Sequence, residues 1–269
     1  MRGWELVTHG KAPRRTSRGA HRIILACLVG SAIHGCGPQV ELLRRDPGFN
    51  YSTLSVGGIA VFGVTTSVGD RGDRDLKRDQ FTALLESSLM KEREDLKVLP
   101  MSQLLSDLGM DLYESTLDRF EHTGGLDRTT LALLDSLAGD QVRYVLLGRI
   151  EEESITHDET VTDTPTESDP DATTTKLTTR LTVRIAFQVY DLRSAMSVWS
   201  ATLTQSKGDS ETYTDEAPGS FLAGLVGSLL GAIFGSSDEK EEYPPAPDAT
   251  KVLLSIYSAV AEKLPERGH

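Results

Sequence analysis

The stretch from Lys176 to Thr204 constrains this chain more than any other. Leu177, Thr179, Leu181, Val183, Ile185, Phe187 and Val189 alternate with Lys176, Thr178, Arg180, Thr182, Arg184, Gln188 and Tyr190. A period of two places the first set on one face of an extended chain and the second on the other. The polar run Asp191 to Ser197 interrupts the pattern, and Val198-Trp199-Ser200-Ala201-Thr202-Leu203 resumes it. The spacing predicts a long antiparallel hairpin over 176–204. Strands average about five residues, so a first strand of about fifteen is bent, bulged or carried past the edge of its sheet.

Elements before and after the hairpin complete an α/β pattern, with α+β as the alternative. Ile59 to Val64 is a continuous apolar run introduced by Gly57-Gly58, as expected of a strand buried on both faces. Leu76, Phe81, Leu84, Leu85 and Leu89 recur at helical spacing, with Asp73 or Asp75 placed to cap. A short strand at 96–99, helices over 101–108, 112–123 and 126–137, and a strong strand over 142–150 follow. Asp248 to Leu264 closes the chain as an amphipathic helix, with Asp248 as cap and Pro265 as stop. These elements predict one mixed sheet with helices packed on it, a single domain over 56–264.

Between the two longest strands lies 151–175, with nine acidic residues and no Lys or Arg, which reads as a solvated acidic loop. Residues 207–218 read as a polar loop, and 36–55, containing Pro38, Pro47 and Gly48, as a tether.

The N-terminus has the form of an export signal. Lys11, Arg14, Arg15, Arg18 and Arg22 precede the apolar run Ile23 to Ile33, too short for an ordinary membrane span. Ile33-His34-Gly35-Cys36 then resembles the lipobox of bacterial lipoproteins, which implies a signal peptide over 1–35. It further implies thioether lipidation of Cys36 and acylation, of the palmitate type, at the new N-terminus. Several acyl chains make a stable anchor where one is marginal. Gly37 follows in place of the Asp that retains lipoproteins at the inner membrane, so the expected location is the outer membrane, with the domain facing the periplasm. Cys27 lies within the signal, which leaves one cysteine and no internal disulfide.

Residues 1–35 hold six of the 28 basic residues and one of the 40 acidic ones, so the chain from Cys36 onward carries 22 against 39, a formal charge of −17. So acidic a protein is not built to bind nucleic acid, where Lys and Arg neutralise phosphates.

One insertion departs from the globular pattern. In 219–235, bulky residues including Leu225 and Leu229 alternate with small ones, among them Gly224, Gly227, Gly231 and Gly235. On a helix this gives the small-xxx-small stripe of membrane or self-associating helices. A mobile apolar loop over the sheet is the other reading, since so many glycines disfavour a helix in water.

Val189-Tyr190-Asp191-Leu192-Arg193-Ser194 followed by Val198-Trp199, with Tyr144-Val145-Leu146-Leu147-Gly148 before it, carries a resemblance. It is similar to the hairpin of envelope lipoproteins of the curli secretion-channel (CsgG-like) group, the N-terminal domain of TolB and the lipoprotein activators of penicillin-binding proteins. Ala195 stands where that group has Gly, a change of little cost if the turn avoids a positive φ. The resemblance implies an envelope protein that binds other envelope proteins or itself, or an oligomeric secretion channel that inserts segments into the membrane.

Residues for catalysis are sparse. Gly208-Asp209-Ser210 resembles a serine-hydrolase motif but lacks a downstream Asp-x-x-His, and His122 and His157 have no metal-ligand spacing. No phosphate-binding glycine loop or nucleophile elbow is present. The expectation is a protein that is not an enzyme and takes no cofactor or metal.

Overall fold

The computed structural model describes residues 37–67, 71–165, 173–215 and 243–267. Strand β1 (Gln39–Arg45) and helix α1 (Tyr51–Gly57) come first, followed by β2 (Ile59–Thr66), α2 (Arg71–Glu92) and β3 (Val98–Leu99). Helices α3 (Met101–Leu108), α4 (Met110–Thr123) and α5 (Arg128–Ala138) lead to β4 (Tyr144–Asp163), β5 (Thr173–Asp191) and β6 (Met196–Asp215). The last described helix is α6 (Ala249–Lys263).

The six strands form one mixed sheet in the order β1-β6-β5-β4-β2-β3. β2 is parallel to β3 and β4, while β4, β5, β6 and β1 pair antiparallel. Parallel pairing needs a crossover, and the helices supply it. β2 is buried along its whole length because helices cover both its faces. On one face Val61, Leu146, Ile185, Phe187 and Trp199 pack with Leu85 and Leu89 of α2 and Ile256, Tyr257 and Val260 of α6. On the other, Phe62, Val145, Leu147 and Tyr190 pack with Leu104, Leu117, Phe120, Leu131 and Leu134 of α3 to α5.

Helix starts follow their local chemistry. Asn50 and Thr53 make a reciprocal capping box at α1, and Asp127 accepts from Thr130 N at 2.8 Å. Asp248 accepts from Thr250 N at 2.8 Å, the cap expected for the amphipathic C-terminal helix. α2 begins at Arg71, so Asp73 and Asp75 lie within the helix rather than at its cap.

Three stretches expected to lack regular structure have it. Most of the expected tether, 36–55, is ordered: β1 takes 39–45 and α1 takes 51–57; β1 escapes a period-two reading because its register shifts between Val40 and Leu42. Residues 151–163 of the expected acidic loop extend β4, and 207–215 extend β6. The reason is visible in β5, which lies between them: Leu177, Thr179, Leu181 and Val183 are buried. The flanking strands supply backbone partners to it while keeping their charged side chains in water. Long β-branched runs support such a sheet without requiring apolar alternation on every strand.

Candidate functional site

Beyond the helices, β4, β5 and β6 continue as a three-stranded extension. Arg184 pairs with Glu152 and Thr204, and the ladder runs on to Thr173, paired with Asp163 and Asp215. Leu181 and Val183 still belong to the core that α2 and α6 cover, and Lys77 of α2 reaches Glu153 at 3.3 Å, so the part beyond the helices runs from Leu181 to Thr173, eight steps of about 3.3 Å or about 26 Å. On one face, hydroxyls line up across strands: Thr178 with Ser210 at 2.9 Å and Thr182 with Ser206 at 2.7 Å. On the other, the buried column of β5 is bordered by His157, whose Nδ1 lies 3.1 Å from Thr179 Oγ1. Tyr243 packs against His157 with ring centres 4.7 Å apart and planes inclined by 47°, so the chain returns to the body of the protein along this face.

Charged pairs cross the base of the extension. Arg149 meets Glu151 at 2.8 Å, and Arg184 meets Glu151 at 3.7 Å and Glu41 of β1 at 2.9 Å. Thr204 also donates to Glu41. The four charges thus join β4, β5 and β1 across the face that α3 to α5 leave open.

The start of β1 lies at this same level. Gln39 pairs with Thr204, and β1 runs away from the extension toward Arg45 beside Trp199. The chain therefore enters the domain at the root of the extension. Val40, Leu42 and Leu43 are exposed there, although each is a large apolar side chain.

The hairpin motif is a structural joint. Tyr190 Oη accepts from Leu126 N at 3.0 Å and donates to Gln188, while Gln188 donates to Gly124 O at 2.6 Å. Asp191 takes both Nε and Nη2 of Arg143, at 3.0 and 2.7 Å, and accepts from Arg193 N. Burial raises the Tyr190 phenol above its ordinary range, and its bond to Leu126 N partly opposes this. Ala195 has φ 51°, so the turn does not avoid the left-handed region, contrary to the expectation from its length. A four-residue loop between Asp191 and Met196 needs one such residue to close on the strand twist.

Concavities among the described residues include the following pair. One, of about 280 Å³, lies between α2 and α4, where Arg74 and Arg78 face Glu114, Asp118 and Glu121; Arg74 pairs with Glu121 at 2.7 Å. The other, of about 320 Å³, lies beside α1 and the hairpin turn, with Lys97, Arg143 and Arg193 on its wall. Neither lining combines a hydroxyl or thiol nucleophile with histidine. Ser210 of the Gly-Asp-Ser triplet lies within β6 and bonds Thr178. His122 Nδ1 meets Asp118 O in its own helix, and no group of three metal-binding side chains occurs among the described residues.

Cys36 and the self-association candidates Gly224, Leu225, Gly227, Leu229, Gly231 and Gly235 lie outside the described residues. The structure brings to light residues that the sequence pattern passes over: Arg143 as partner of Asp191, Glu41 as partner of Arg184, and the exposed apolar side chains of β1. Only the last had a legible signal, an apolar pair beside two arginines.

No family model and no curated protein matches the chain. Among solved structures it is similar to the PelC dodecamer from Paraburkholderia phytofirmans, at 15% identity and TM-score 0.37, covering 86% of this chain and 99% of that one. It is also similar to the lipoprotein GNA1162 from Neisseria meningitidis, at 14% identity and TM-score 0.33, covering 67% and 99%. The C-terminal domain of LpoB from Salmonella enterica is similar at 11% identity and TM-score 0.32, covering 58% and 87%.

Proposed function

We propose that the chain is a non-enzymatic envelope lipoprotein, lipidated at Cys36 and held at the periplasmic side of the outer membrane. Its three-stranded extension serves as the platform on which other envelope proteins, or further copies, dock. The carrying observation is that β4, β5 and β6 continue as paired strands about 26 Å past Leu181, the last β5 residue of the helix-covered core. The face that carries Lys176, Thr178, Arg180 and Thr182 is open, while the opposite face of β5 is buried; paired strands hold that open face in a fixed shape, and a rigid face binds with little ordering cost.

A secretion channel formed by inserting these strands into the membrane is the second reading, favoured by strands of 19 and 20 residues. The charge distribution weighs against it. Glu159, Lys207 and Asp209 share the face of Thr179, and Asp158, Lys176 and Arg180 share the opposite face. Neither face offers the uninterrupted apolar band that a lipid-facing barrel strand requires, and Lys or Arg at mid-bilayer costs about 2–4 kcal/mol each.

Photo-crosslinking residues placed at Thr160 and Thr178 in cells, with Leu137 of α5 as control, test the platform. The expected result is discrete higher-mass adducts from the extension positions and none from Leu137. Equal adducts at all three, or adducts at Leu137 alone, would contradict it.

A further inference from the structure

We infer that the outer edge of β1 rests on the headgroup surface of the membrane that holds the chain, an inference that depends on lipidation at Cys36. Gln39 stands three positions after Cys36, and an extended chain spans at most about 3.6 Å per residue, so the anchor point lies within about 11 Å of the strand. With β1 an ordered part of the sheet, a short leash replaces the long tether that the sequence suggests. The domain is held against the lipid by this edge.

The composition of the edge fits that position. Val40, Leu42 and Leu43 are 39%, 40% and 49% exposed. The register with β6 puts Val40 and Leu43 on one side of the sheet and Leu42 on the other, so apolar groups flank the edge from both sides. Arg44 and Arg45 follow them, and neither has an ion-pair partner among the described residues. With Glu41 engaged by Arg184 at 2.9 Å, Arg44 and Arg45 face only Asp46 as a neighbouring carboxylate among the described residues, so in a chain of formal charge −17 from Cys36 onward the exposed leucines sit beside a small local excess of positive charge. Such a patch matches anionic headgroups over acyl chains.

A second copy pairing along the same edge is the competing occupant. The strand is poorly suited to it: Pro38 removes a donor where the strand begins, and the register shift between Val40 and Leu42 breaks the hydrogen-bonding repeat. A headgroup layer has no register to match, so neither feature obstructs it.

The test uses the full mature chain, purified from membranes and placed on vesicles of phosphatidylethanolamine and phosphatidylglycerol. With Cys36 acylated and Cys27 removed, Leu43→Cys offers a single thiol for a polarity-sensitive fluorophore. Leu137→Cys, at a position 42% exposed on α5, is the control. The expected result is a blue shift on vesicles at position 43 and none at 137. Arg44→Gln with Arg45→Gln should weaken the contact about 25-fold, from about fivefold per basic residue near an anionic surface. An acyl mass at Cys36 with an unshifted label at 43 overturns the contact and leaves the anchor standing. A mature chain without acyl mass overturns the anchoring and the contact with it. A blue shift that rises with protein concentration in the absence of vesicles identifies a second copy on the edge and also overturns the inference.

Discussion

Arg143 and Asp191 form a two-point ion pair, Nε to Oδ1 at 3.0 Å and Nη2 to Oδ2 at 2.7 Å, that locks the start of β4 to the end of β5. The Asp191 side chain is 6% exposed and also accepts from Arg193 N, so it fixes the hairpin turn and the neighbouring strand together. The bond to Asp191 raises the guanidinium above its already high range, which keeps Arg143 charged at every accessible pH.

Removing one member of a buried pair leaves the other uncompensated. Asp191→Ala should therefore cost about 3 kcal/mol in urea denaturation, toward the lower end for buried pairs because Arg143 is partly exposed. The exposed pair Arg180–Asp158, at 3.9 Å, is the contrast; Asp158→Ala should cost about 0.5 kcal/mol or less. Similar losses for both would mean that the Arg143–Asp191 joint contributes no more than a surface contact.

Ala195 holds a left-handed φ of 51°, which strains a side chain with a Cβ. Ala195→Gly should raise stability by about 1 kcal/mol, the typical cost of that conformation for an L-residue. A higher melting temperature for the glycine variant is the expected readout, and an unchanged or lower one would indicate that the turn relaxes in solution.

The long hairpin, the buried β2 run and the capped C-terminal helix were legible because one physical pattern dominated each. Phe187 and Val189 announce a core face by alternation alone, and Asp248 announces a helix start. The extended ends of β4 and β6 were not legible, since Glu159 and Asp209 look like loop residues when the strand between them, which buries Leu177 and Leu181, is out of view. β1 was hidden by its bulge. The Arg143–Asp191 joint spans 48 positions of sequence, and no local pattern joins residues so far apart.

The inward face of the hairpin should dominate its energetics. Phe187 and Trp199 are 0% and 1% exposed, so Phe187→Ala and Trp199→Ala should each cost about 3–5 kcal/mol. Phe187 also lies 3.0 Å from where a Cβ on Gly148 would stand, so the glycine ending the Tyr144–Gly148 run makes room for its ring. Arg184 is 40% exposed, and Arg184→Ala should cost about 1 kcal/mol or less. Denaturation midpoints that fall equally for Phe187→Ala and Arg184→Ala would reverse the assignment of faces.

Acid should loosen the junction of α2 with the C-terminal end of α6. Arg93 donates to Ala261 O, Leu264 O and Pro265 O at 3.1, 3.4 and 2.7 Å, and its hydrogen bonds to Asp95 hold that carboxyl below the ordinary value of 3.8. A carboxyl with a lowered folded value contributes stability above the unfolded value and loses it as pH falls through the folded one. The wild type should thus lose melting temperature below about pH 4, and Asp95→Asn should lose less across that range. Parallel curves for the two proteins would remove Asp95 from the account of acid sensitivity.

The intact mass of the mature protein, extracted from membranes of its own host or a comparable bacterium, tests the central claim most directly. A chain beginning at Cys36 and carrying thioether-linked diacylglycerol with an N-acyl group is the predicted result. A mature chain that begins elsewhere, or that begins at Cys36 without acyl mass, would contradict an anchored lipoprotein.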